Sequence, residues 1–348
     1  MKVLVIATSP QTRGGITSVI KSHMQGRQWD EYNCIWISTH IDKSIFFKLL
    51  FLLGGYLRFL LNIWNTDIVH IHLSEPFSAL RKCPIIFVTK LLSKKLIVHF
   101  HSFSTETTVC GKFKNVYRYL FTKADVIVVL SNYWKEKVNN EYSLGDKVKV
   151  IYNPCTIREN NKSYPKANYI LYAGTVNQRK GYADLISAFA KVAPLHPDWF
   201  IVIAGNGELN RALELSRSLG IEEKVKLLGW VSGDSKDRVF KEASIFCLPS
   251  YAEGFPMAVL DAWTYGLPVI TTPVGGIPDV AEDGENMLLF NPGDIDKLSV
   301  CIDNLIINNT LREKLSQESL KLSTTVFSIN TITDQLRKIY MDLLASHL

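Results

Sequence analysis

Residues 245–271 have the sequence IFCLPSYAEGFPMAVLDAWTYGLPVIT, in which two apolar runs flank a polar loop and a helical pattern. Short apolar runs bounded by turn residues are typical of buried strands, and Pro256 stands where a helix would begin. Two strands joined through a helix can pair in parallel. The stretch therefore predicts a strand–helix–strand unit, the building block of a doubly wound α/β sheet.

The same alternation extends along the whole chain. Predicted strands of the first half lie at Val3–Ala7, Cys34–Ser38, Asp67–His72, Leu96–His101, Val126–Ser131 and Val148–Tyr152. Those of the second half lie at Tyr169–Ala173, Phe200–Ala204, Val225–Leu228, Ile245–Leu248, Pro268–Thr271 and Asn286–Phe290. The strands are rich in Val and Ile, as expected for a parallel sheet covered on both faces.

One linker divides the chain. Between Tyr152 and Tyr169 the sequence becomes polar and contains two prolines. A length of 348 residues suits two domains. We predict two Rossmann-like domains, 1–155 and 166–326, and a C-terminal helix over 327–348 that packs back on the first domain.

Composition indicates a globular protein with reduced thiols. Hydrophobic residues make up 47% of the chain and charged residues 21%, a balance that excludes disorder. The six cysteines are scattered without a CxxC pair, which argues against both a disulfide framework and a metal cage. The opening residues MKVLVIATSP favour a buried strand over a signal sequence. A cytoplasmic protein is the expectation.

The net charge of +6 is unevenly distributed. Residues 1–150 carry 20 Lys and Arg against 10 Asp and Glu, whereas the remainder carries 19 against 23. A basic half predicts an anionic partner. No nucleic-acid reading motif is present, so an anionic membrane surface is the favoured partner, at the inner face of the cell membrane.

Residues 45–64, IFFKLLFLLGGYLRFLLNIW, are nearly all apolar. The length approaches that of a membrane span, but Lys48, Arg58 and a central Gly-Gly disfavour one. The segment fits a helix packed on the sheet, and it also fits an interfacial helix with an exposed apolar face at a lipid surface. Both descriptions can hold at once.

Two kinds of ligand-binding turn follow the predicted strands. Gly14 and Gly15 precede the first predicted helix, so their backbone can approach a ligand where the helix N-terminus offers N–H groups to an anion. Gly205 begins another glycine turn, after the strand Phe200–Ala204. Arg179 and Lys180 lie beyond the strand Tyr169–Ala173, at the sheet edge where α/β folds bind ligands. Two cations there suit a diphosphate, although a solvated basic turn has the same composition.

Two carboxylates flank the helix start of the opening stretch. Glu253 lies on the loop, Gly254 allows a close turn, and Asp261 falls one to two turns into the helix. Carboxylates accept paired hydrogen bonds from vicinal hydroxyl groups, so sugar and ribose rings are natural ligands. A capping role for Glu253 and a solvated position for Asp261 are the alternatives.

Two His-x-His pairs raise the question of a metal. His70 and His72, and likewise His99 and His101, share a face of their strands and could chelate an ion. No nearby carboxylate or cysteine completes a zinc ligand set, and no paired-aspartate motif for a metal–diphosphate bridge is evident. We predict no obligatory metal and no other cofactor.

The chain resembles the family 4 retaining glycosyltransferases over nearly its whole length. The second half carries the resemblance through GTVNQRKG, VIAGNGEL, KLLGWV, LPSYAEGFPMAVLDAWTYGLPVI and TPVGGIPDVAEDGENMLLFNPGD. The first half agrees more loosely through RGGITSVI, DIVHIH, LIVHFH, ADVIVVLS and VIYNP. The resemblance implies the GT-B fold, in which two Rossmann-like domains face each other across a deep cleft.

The resemblance also implies a role for each matching residue. Gly15 would approach the donor phosphates, and Lys180, with Arg179 beside it, would pair with the diphosphate. Glu253 would contact the transferred sugar and Asp261 the ribose hydroxyls, while His101 would lie near sugar and phosphate. The backbone of the helix start would bind phosphate or sugar; this segment comprises Gly254, Phe255, Pro256 and Met257. Glu253, His101 and Lys180 are thus the candidate catalytic residues.

Two positions depart from the family pattern. Asp261 stands where the family usually has Glu, so its carboxylate is one methylene shorter. Thr175 stands where many members have Arg, and Arg179 is the candidate replacement for the missing charge. Since Arg and Lys present different geometries to phosphate, reduced activity or dependence on a partner is one consequence to test.

The implied reaction is transfer of a sugar, with retention of anomeric configuration, from a UDP- or GDP-sugar to a hydroxyl group of a glycan or lipid-linked acceptor. The setting implied is bacterial-type surface polysaccharide synthesis. Two alternatives remain at this point. One is a nucleotide-sugar epimerase or a carbohydrate phosphorylase of the same fold. The other is a weakly active subunit that binds a partner glycosyltransferase.

Overall fold

The computed structural model describes residues 1–156 and 165–345. Residues 157–164, in the centre of the predicted linker, and 346–348, at the end of the predicted C-terminal helix, lie outside this part of the chain. The described residues divide into two compact units. The first comprises Met1–Pro154 and the segment that begins at Phe327, and the second comprises Cys155–Val326.

The first unit is a six-stranded parallel sheet with the order β2-β1-β3-β4-β5-β6. Its strands are β1 (Val3–Ala7), β2 (Ile35–Ser38), β3 (Ile68–Leu73), β4 (Lys95–Phe100), β5 (Val126–Val129) and β6 (Val148–Val150). Its helices are α1 (Gly15–His23), α2 (Arg27–Glu31), α3 (Ile45–Asn62), α4 (Pro76–Leu80), α5 (Cys83–Leu91), α6 (Lys114–Lys123), α7 (Asn132–Tyr142) and, from the end of the chain, α14 (Ile329–Ala345).

The second unit repeats this plan with the strand order β12-β11-β10-β7-β8-β9, again parallel. Its strands are β7 (Tyr169–Ala173), β8 (Phe200–Ala204), β9 (Val225–Gly229), β10 (Ile245–Leu248), β11 (Val269–Thr271) and β12 (Leu288–Leu289). Its helices are α8 (Tyr182–Val192), α9 (Leu209–Ser218), α10 (Asp234–Glu242), α11 (Met257–Thr264), α12 (Ile295–Ile307) and α13 (Asn309–Thr324).

The twelve predicted strands are confirmed, with ends that differ by at most two residues. Their burial explains why the sequence pattern is so clear. All five residues of β1 and all six of β3 are buried, so both faces of each strand select apolar side chains or, in β3, two histidines.

The last helix covers one face of the first sheet. Apolar residues of α14 pack with Val3, Val5 and Ile97 in one buried cluster, and the helix contributes Ile332, Leu336, Tyr340 and Leu343 to it. The residues recur at helical spacing, so a single stripe of α14 forms the contact.

Helix α3 packs on the sheet along a narrow line. Gly55 lies against the backbone of Ser38, where a Cβ atom would collide with the carbonyl oxygen. Only Gly55 and Phe59 of this helix are buried. The prediction of a helix packed on the sheet thus describes one edge of α3, whereas its remaining apolar surface is exposed. By length and composition Ile45–Asn65 could cross a membrane, with 11% of it buried, and one such helix is weak evidence for a span.

Candidate functional site

Two loops of the second domain meet at the carboxyl edge of its sheet. β7 and β10 are parallel neighbours, so the loops that follow them lie side by side. The first loop supplies Lys180, whose Nζ donates to Oε1 of Glu253 on the second. Ser250 Oγ donates to the same oxygen over 2.7 Å. Glu253 is 8% exposed, so a buried carboxylate is held by one ammonium and one hydroxyl group.

Arg179 binds this loop from the other side. Its guanidinium donates to the carbonyl oxygen of Ala252 over 2.6 Å and lies 3.6 Å from Oε2 of Glu253. The backbone N–H of Tyr251 donates to the carbonyl oxygen of Arg179 over 2.7 Å. Both predicted cations therefore contact Glu253, and the sequence-based alternative of a solvated basic turn is wrong for Lys180, whose side chain is 13% exposed.

Glycine permits this close packing of loops. Gly181 has a φ of +69°, and a Cβ atom there would collide with the carbonyl oxygen of Pro249. Gly205, in the turn after β8, is equally close to the carbonyl oxygen of Gly174. Side chains at either position would push the loops of β7, β8 and β10 apart. Gly205, whose turn the sequence placed at the ligand-binding edge, thus has a packing role in this structure, as Gly181 does.

The helix start that follows Glu253 departs slightly from the prediction. Pro256 is the residue that caps α11, with an extended ψ of 110°, and Met257 is the first helical residue. The prediction that placed Pro256 at the first helical position is wrong by one residue. Phe255 is buried with its ring against Trp263, so only its backbone can serve a ligand. The carbonyl oxygen of Gly254 accepts a hydrogen bond from the N–H of Gly276 over 2.8 Å.

Asp261 has a cationic partner of its own. Oδ2 of Asp261 accepts a hydrogen bond from Nζ of Lys236, on α10, over 2.6 Å. The side chain of Asp261 is 13% exposed and that of Lys236 34% exposed. The two predicted carboxylates of the second domain are therefore held by different lysines. Lys236 is not predictable from the sequence, because neither spacing nor composition links it to Asp261.

Gly15 and His101 belong to the first domain. Gly15 is exposed as the first residue of α1, after Gly14, whose φ of +147° is accessible to glycine. His101 directly follows β4, and its Nε2 lies 2.9 Å from Nδ1 of His72. Each has the position that the sequence predicted within its own domain. The joint site of both domains stays a prediction.

Five histidines form a polar cluster, which we call the histidine column. It comprises His70 and His72 of β3, His99 of β4, His23 of α1 and His101 just after β4, and all but the half-buried His101 are buried. His72 and His99 are paired in register, which brings the two His-x-His motifs side by side. Nδ1 of His70 lies 2.7 Å from the hydroxyl oxygen of Tyr340, and its Nε2 lies 3.3 Å from Nδ1 of His99. No pattern in the sequence linked His23 and Tyr340 to this group.

Burial keeps the column uncharged. It lowers the pKa of His23 to about 3 and that of His101 to about 3, the latter with help from the charges of His23 and Lys82. It also lowers the pKa of His70, His72 and His99 well below the usual value. Neutral imidazoles can donate and accept hydrogen bonds at neutral pH, but an uncharged imidazole cannot serve as a general acid.

Three members of the column come close enough to share a metal ion. Potential ligand nitrogens of His70, His72 and His99 lie within 4.8 Å of one another. Four of their six ring nitrogens already contact Tyr340, His101 or each other, which leaves Nε2 of His72 and Nε2 of His99. An ion would have to break those contacts to gain a third ligand. That no metal is obligatory stays a prediction.

Comparison with known families bears directly on these two domains. Residues 155–322 match the family described as glycosyl transferases group 1, and residues 28–158 match Glycosyltransferase Family 4. Together the two matches span residues 28–322, so the second domain belongs to the group 1 glycosyl transferases and the first to Glycosyltransferase Family 4. The resemblance that the motifs carry is thereby confirmed, together with the GT-B architecture of two parallel sheets with helices.

Individual relatives of this chain are distant in sequence. An uncharacterized glycosyltransferase of Methanocaldococcus jannaschii is 27% identical over 279 residues, which cover 80% of this chain and 65% of the relative. A lipopolysaccharide 1,6-galactosyltransferase of Salmonella typhimurium is 31% identical over 184 residues, half of each chain. The alignments thus span about half to two thirds of these relatives. Anabaena HepE, solved with UDP-glucose, has a TM-score of 0.75 at 17% identity, covering 98% of this chain and all of that one.

Proposed function

We propose that the protein transfers a sugar from a nucleotide-sugar donor to a hydroxyl group of a glycan or lipid-linked acceptor. The observation that carries the proposal is the buried carboxylate of Glu253, held by Lys180 and Ser250 at the sheet edge where α/β folds bind nucleotides. A carboxylate fixed in this way can accept hydrogen bonds from sugar hydroxyls, and the lysine beside it can bind phosphate.

UDP-sugars are the donors that we propose first. The solved complex of Anabaena HepE with UDP-glucose supports this choice, since that chain has the same fold over its full length. The lipopolysaccharide galactosyltransferase of Salmonella supports an acceptor in surface polysaccharide synthesis. Both inferences pass from relatives to this chain and need direct measurement.

The proposed chemistry uses positive charge to release the nucleotide diphosphate. The ammonium group of Lys180 has three N–H donors, and Glu253 needs one of them. The others can stabilise the charge that develops on the leaving phosphate, together with Arg179. These cations supply the role for which other transferases use a metal, so we propose that transfer requires none. Retention would follow from attack on the same face, with the leaving phosphate accepting the proton of the acceptor hydroxyl.

His101 has a different role in this proposal. Burial lowers its pKa to about 3, so the imidazole is uncharged at neutral pH. One nitrogen contacts His72, and the other can exchange a hydrogen bond with a sugar hydroxyl or a phosphate oxygen. We therefore assign it substrate orientation rather than acid catalysis.

We also propose that the first domain binds the inner face of an anionic membrane through α3. Apolar side chains of this helix are exposed over its whole length, among them Ile45 (78%), Leu53 (66%) and Leu61 (71%). Tyr56 ties α3 to the turn between α4 and α5 through a 2.6 Å hydrogen bond to the carbonyl oxygen of Arg81. Phe77 and Phe87 on α4 and α5 are exposed as well. Apolar surface beside basic residues matches a lipid interface with acidic headgroups.

The transfer proposal is tested with purified full-length protein and a panel of UDP-, GDP- and ADP-sugars. Thermal stabilisation identifies the donor, since a ligand that binds the folded state raises the melting temperature. We expect Glu253→Gln to bind the donor and to lose transfer and donor hydrolysis. Glu318→Gln, which changes a half-exposed carboxylate on α13, is the control and should keep both. Normal turnover by Glu253→Gln, or no stabilisation by any nucleotide-sugar, would contradict the proposal.

A further inference from the structure

The pairing of Lys236 with Asp261 has the chemistry of a ribose site. The lysine ammonium donates to Oδ2 of Asp261 over 2.6 Å, and the aspartate side chain is largely buried. In the described part of the chain, Oδ1 of Asp261 has no hydrogen-bond partner. The ammonium group uses one of its three N–H donors on Asp261. The pair thus offers one free acceptor beside free donors.

A vicinal diol is complementary to such a pair. Each hydroxyl group of a ribose can donate one hydrogen bond and accept others. When one hydroxyl donates to Oδ1 of Asp261, its neighbour can accept from Nζ of Lys236. We propose that Lys236 and Asp261 together recognise the ribose of the donor nucleotide, with Lys236 as an unassigned binding residue. The inference rests on the proposed function, to which it adds Lys236 as a binding residue and the ribose diol as the group recognised.

The surroundings of the pair hold its two helices in register. The hydroxyl group of Tyr265, just beyond α11, donates to Oδ1 of Asp237 on α10 over 2.7 Å. The rings of Phe240 and Tyr265 stack with centroids 5.0 Å apart. The ammonium group of Lys236 lies 5.5 Å from the ring centroid of Phe240, which restricts the lysine side chain. Lys236 is therefore held toward Asp261.

This arrangement accounts for the shorter carboxylate at position 261. A glutamate would reach one methylene further from the helix than Asp261 does. The lysine of α10 supplies a hydrogen-bond donor of its own beside Asp261. Recognition of the diol is then shared between two side chains, where the usual family pattern implies a single carboxylate.

The experiment compares UDP with 2′-deoxy-UDP by calorimetric titration of the full chain. We expect the wild-type protein to prefer UDP by about tenfold, the usual effect of one hydrogen bond to a charged group. With the 2′-hydroxyl as the group that accepts from Lys236, Lys236→Met should bring the ratio of the two dissociation constants below about twofold, and Lys236→Arg should restore part of it because a cation returns. The matched control is Tyr265→Phe, which removes the other polar contact between the helices and should leave the ratio unchanged.

The outcomes separate this inference from the proposed function. A Lys236→Met variant that binds both nucleotides more weakly but keeps the wild-type ratio would assign Lys236 a structural role only and overturn the inference. The inference is also overturned when Tyr265→Phe lowers the ratio as far as Lys236→Met does. Wild-type protein that binds neither UDP nor any nucleotide-sugar of the panel overturns the proposed function itself.

Discussion

The ammonium group of Lys180 contacts Oε1 of Glu253, a buried carboxylate from a different loop. The contact joins the segment after β7 to the segment after β10, and Ser250 completes it. The charge of Lys180 and the position of the loop that carries Glu253 therefore depend on each other. A ligand that attracts the ammonium group of Lys180 also changes its contact with the carboxylate of Glu253. The stability of the second domain and its affinity for a diphosphate should therefore depend on the same pair.

Lys180→Met is predicted to destabilise the second domain. Breaking the buried ion pair leaves Glu253 with only Ser250 and the more distant guanidinium of Arg179, which should cost roughly 3 kcal/mol of the free energy of unfolding. Urea unfolding, followed by hydrogen exchange of β7 and β10, measures the change. Lys191→Met breaks a Lys–Asp pair on the surface of the same domain, whose side chains are 52% and 87% exposed, and should cost well under about 1 kcal/mol. Equal losses in both variants would contradict the role assigned to burial.

The histidine column predicts acid instability of the first domain. The pKa of each histidine is lower in the folded state than in the unfolded chain, whose histidines titrate near 6.5. Below about pH 6.5 the unfolded state therefore binds more protons than the folded state, and for His23 and His101 this difference persists down to about pH 3. Each histidine that stays uncharged in the folded state removes up to about 1.4 kcal/mol of stability per pH unit below 6.5, whereas above 6.5 its contribution is fully present. Hydrogen exchange of β3 and β4 at pH 7.5 and pH 5 measures the loss.

A variant of the column tests the proton count. Nε2 of His23 is buried without a hydrogen-bond partner, so His23→Leu removes one titrating group and leaves no new unpaired atom. The free energy of opening of β3 and β4 should then fall less steeply with decreasing pH. Its slope should be smaller by about 1.4 kcal/mol per pH unit, which corresponds to one proton fewer bound on unfolding. An unchanged slope would show that His23 does not titrate on unfolding.

Adjacent glycines of α3 predict opposite effects of the same substitution. Gly54 has open space around its Cα atom, and Gly54→Ala should stabilise the helix by up to about 1 kcal/mol. Gly55 lies against the carbonyl oxygen of Ser38, and Gly55→Ala should lower the free energy of unfolding by about 1–3 kcal/mol through overpacking. Thermal unfolding of the two variants checks the difference. Similar melting temperatures would mean that α3 does not dock through Gly55.

Membrane binding is predicted to depend on the exposed stripe of α3. The triple variant Leu53→Ser, Leu57→Ser and Leu61→Ser should lose sedimentation with vesicles of phosphatidylglycerol and phosphatidylcholine, since its apolar stripe is removed. Salt should weaken wild-type binding in part, because the basic residues contribute.

The second domain provides a matched control for that variant. Leu195, Val300 and Ile307 are exposed to the same degree as the three leucines of α3, at 71%, 60% and 66%. Their replacement by serine should leave vesicle binding unchanged. Loss of binding in the control, or retention in the α3 variant, would contradict α3 as the contact.

The strands were predictable because burial on both faces selects Val and Ile without interruption. β1 and β3 are buried in every residue, and β3 departs from an apolar run only at His70 and His72. The loop carboxylate Glu253 and the basic pair Arg179–Lys180 were also predictable, since both lie directly after strands that the pattern places at one sheet edge. Order along the chain was sufficient for these residues.

Contacts between helices were not predictable in the same way. Lys236 meets Asp261, and Tyr340 meets His70, only because the sheet order brings distant elements together. The wide exposure of α3 was equally hidden, because a buried core helix and an interfacial helix share the same apolar composition. Amphipathic periodicity would have distinguished the buried face of α3 from its exposed face, but residues 45–64 are apolar on nearly every side.

The covering of the first sheet by α14 has a consequence for the growing polypeptide on the ribosome. The sheet face that carries Val3, Val5 and Ile68 stays uncovered until α14 is translated, which happens after the entire second domain. Domains made first usually fold first during synthesis, and here that order is reversed for the last step. Until Tyr340 emerges, Nδ1 of His70 lacks its partner, and the nascent first domain exposes an apolar sheet face that chaperones bind.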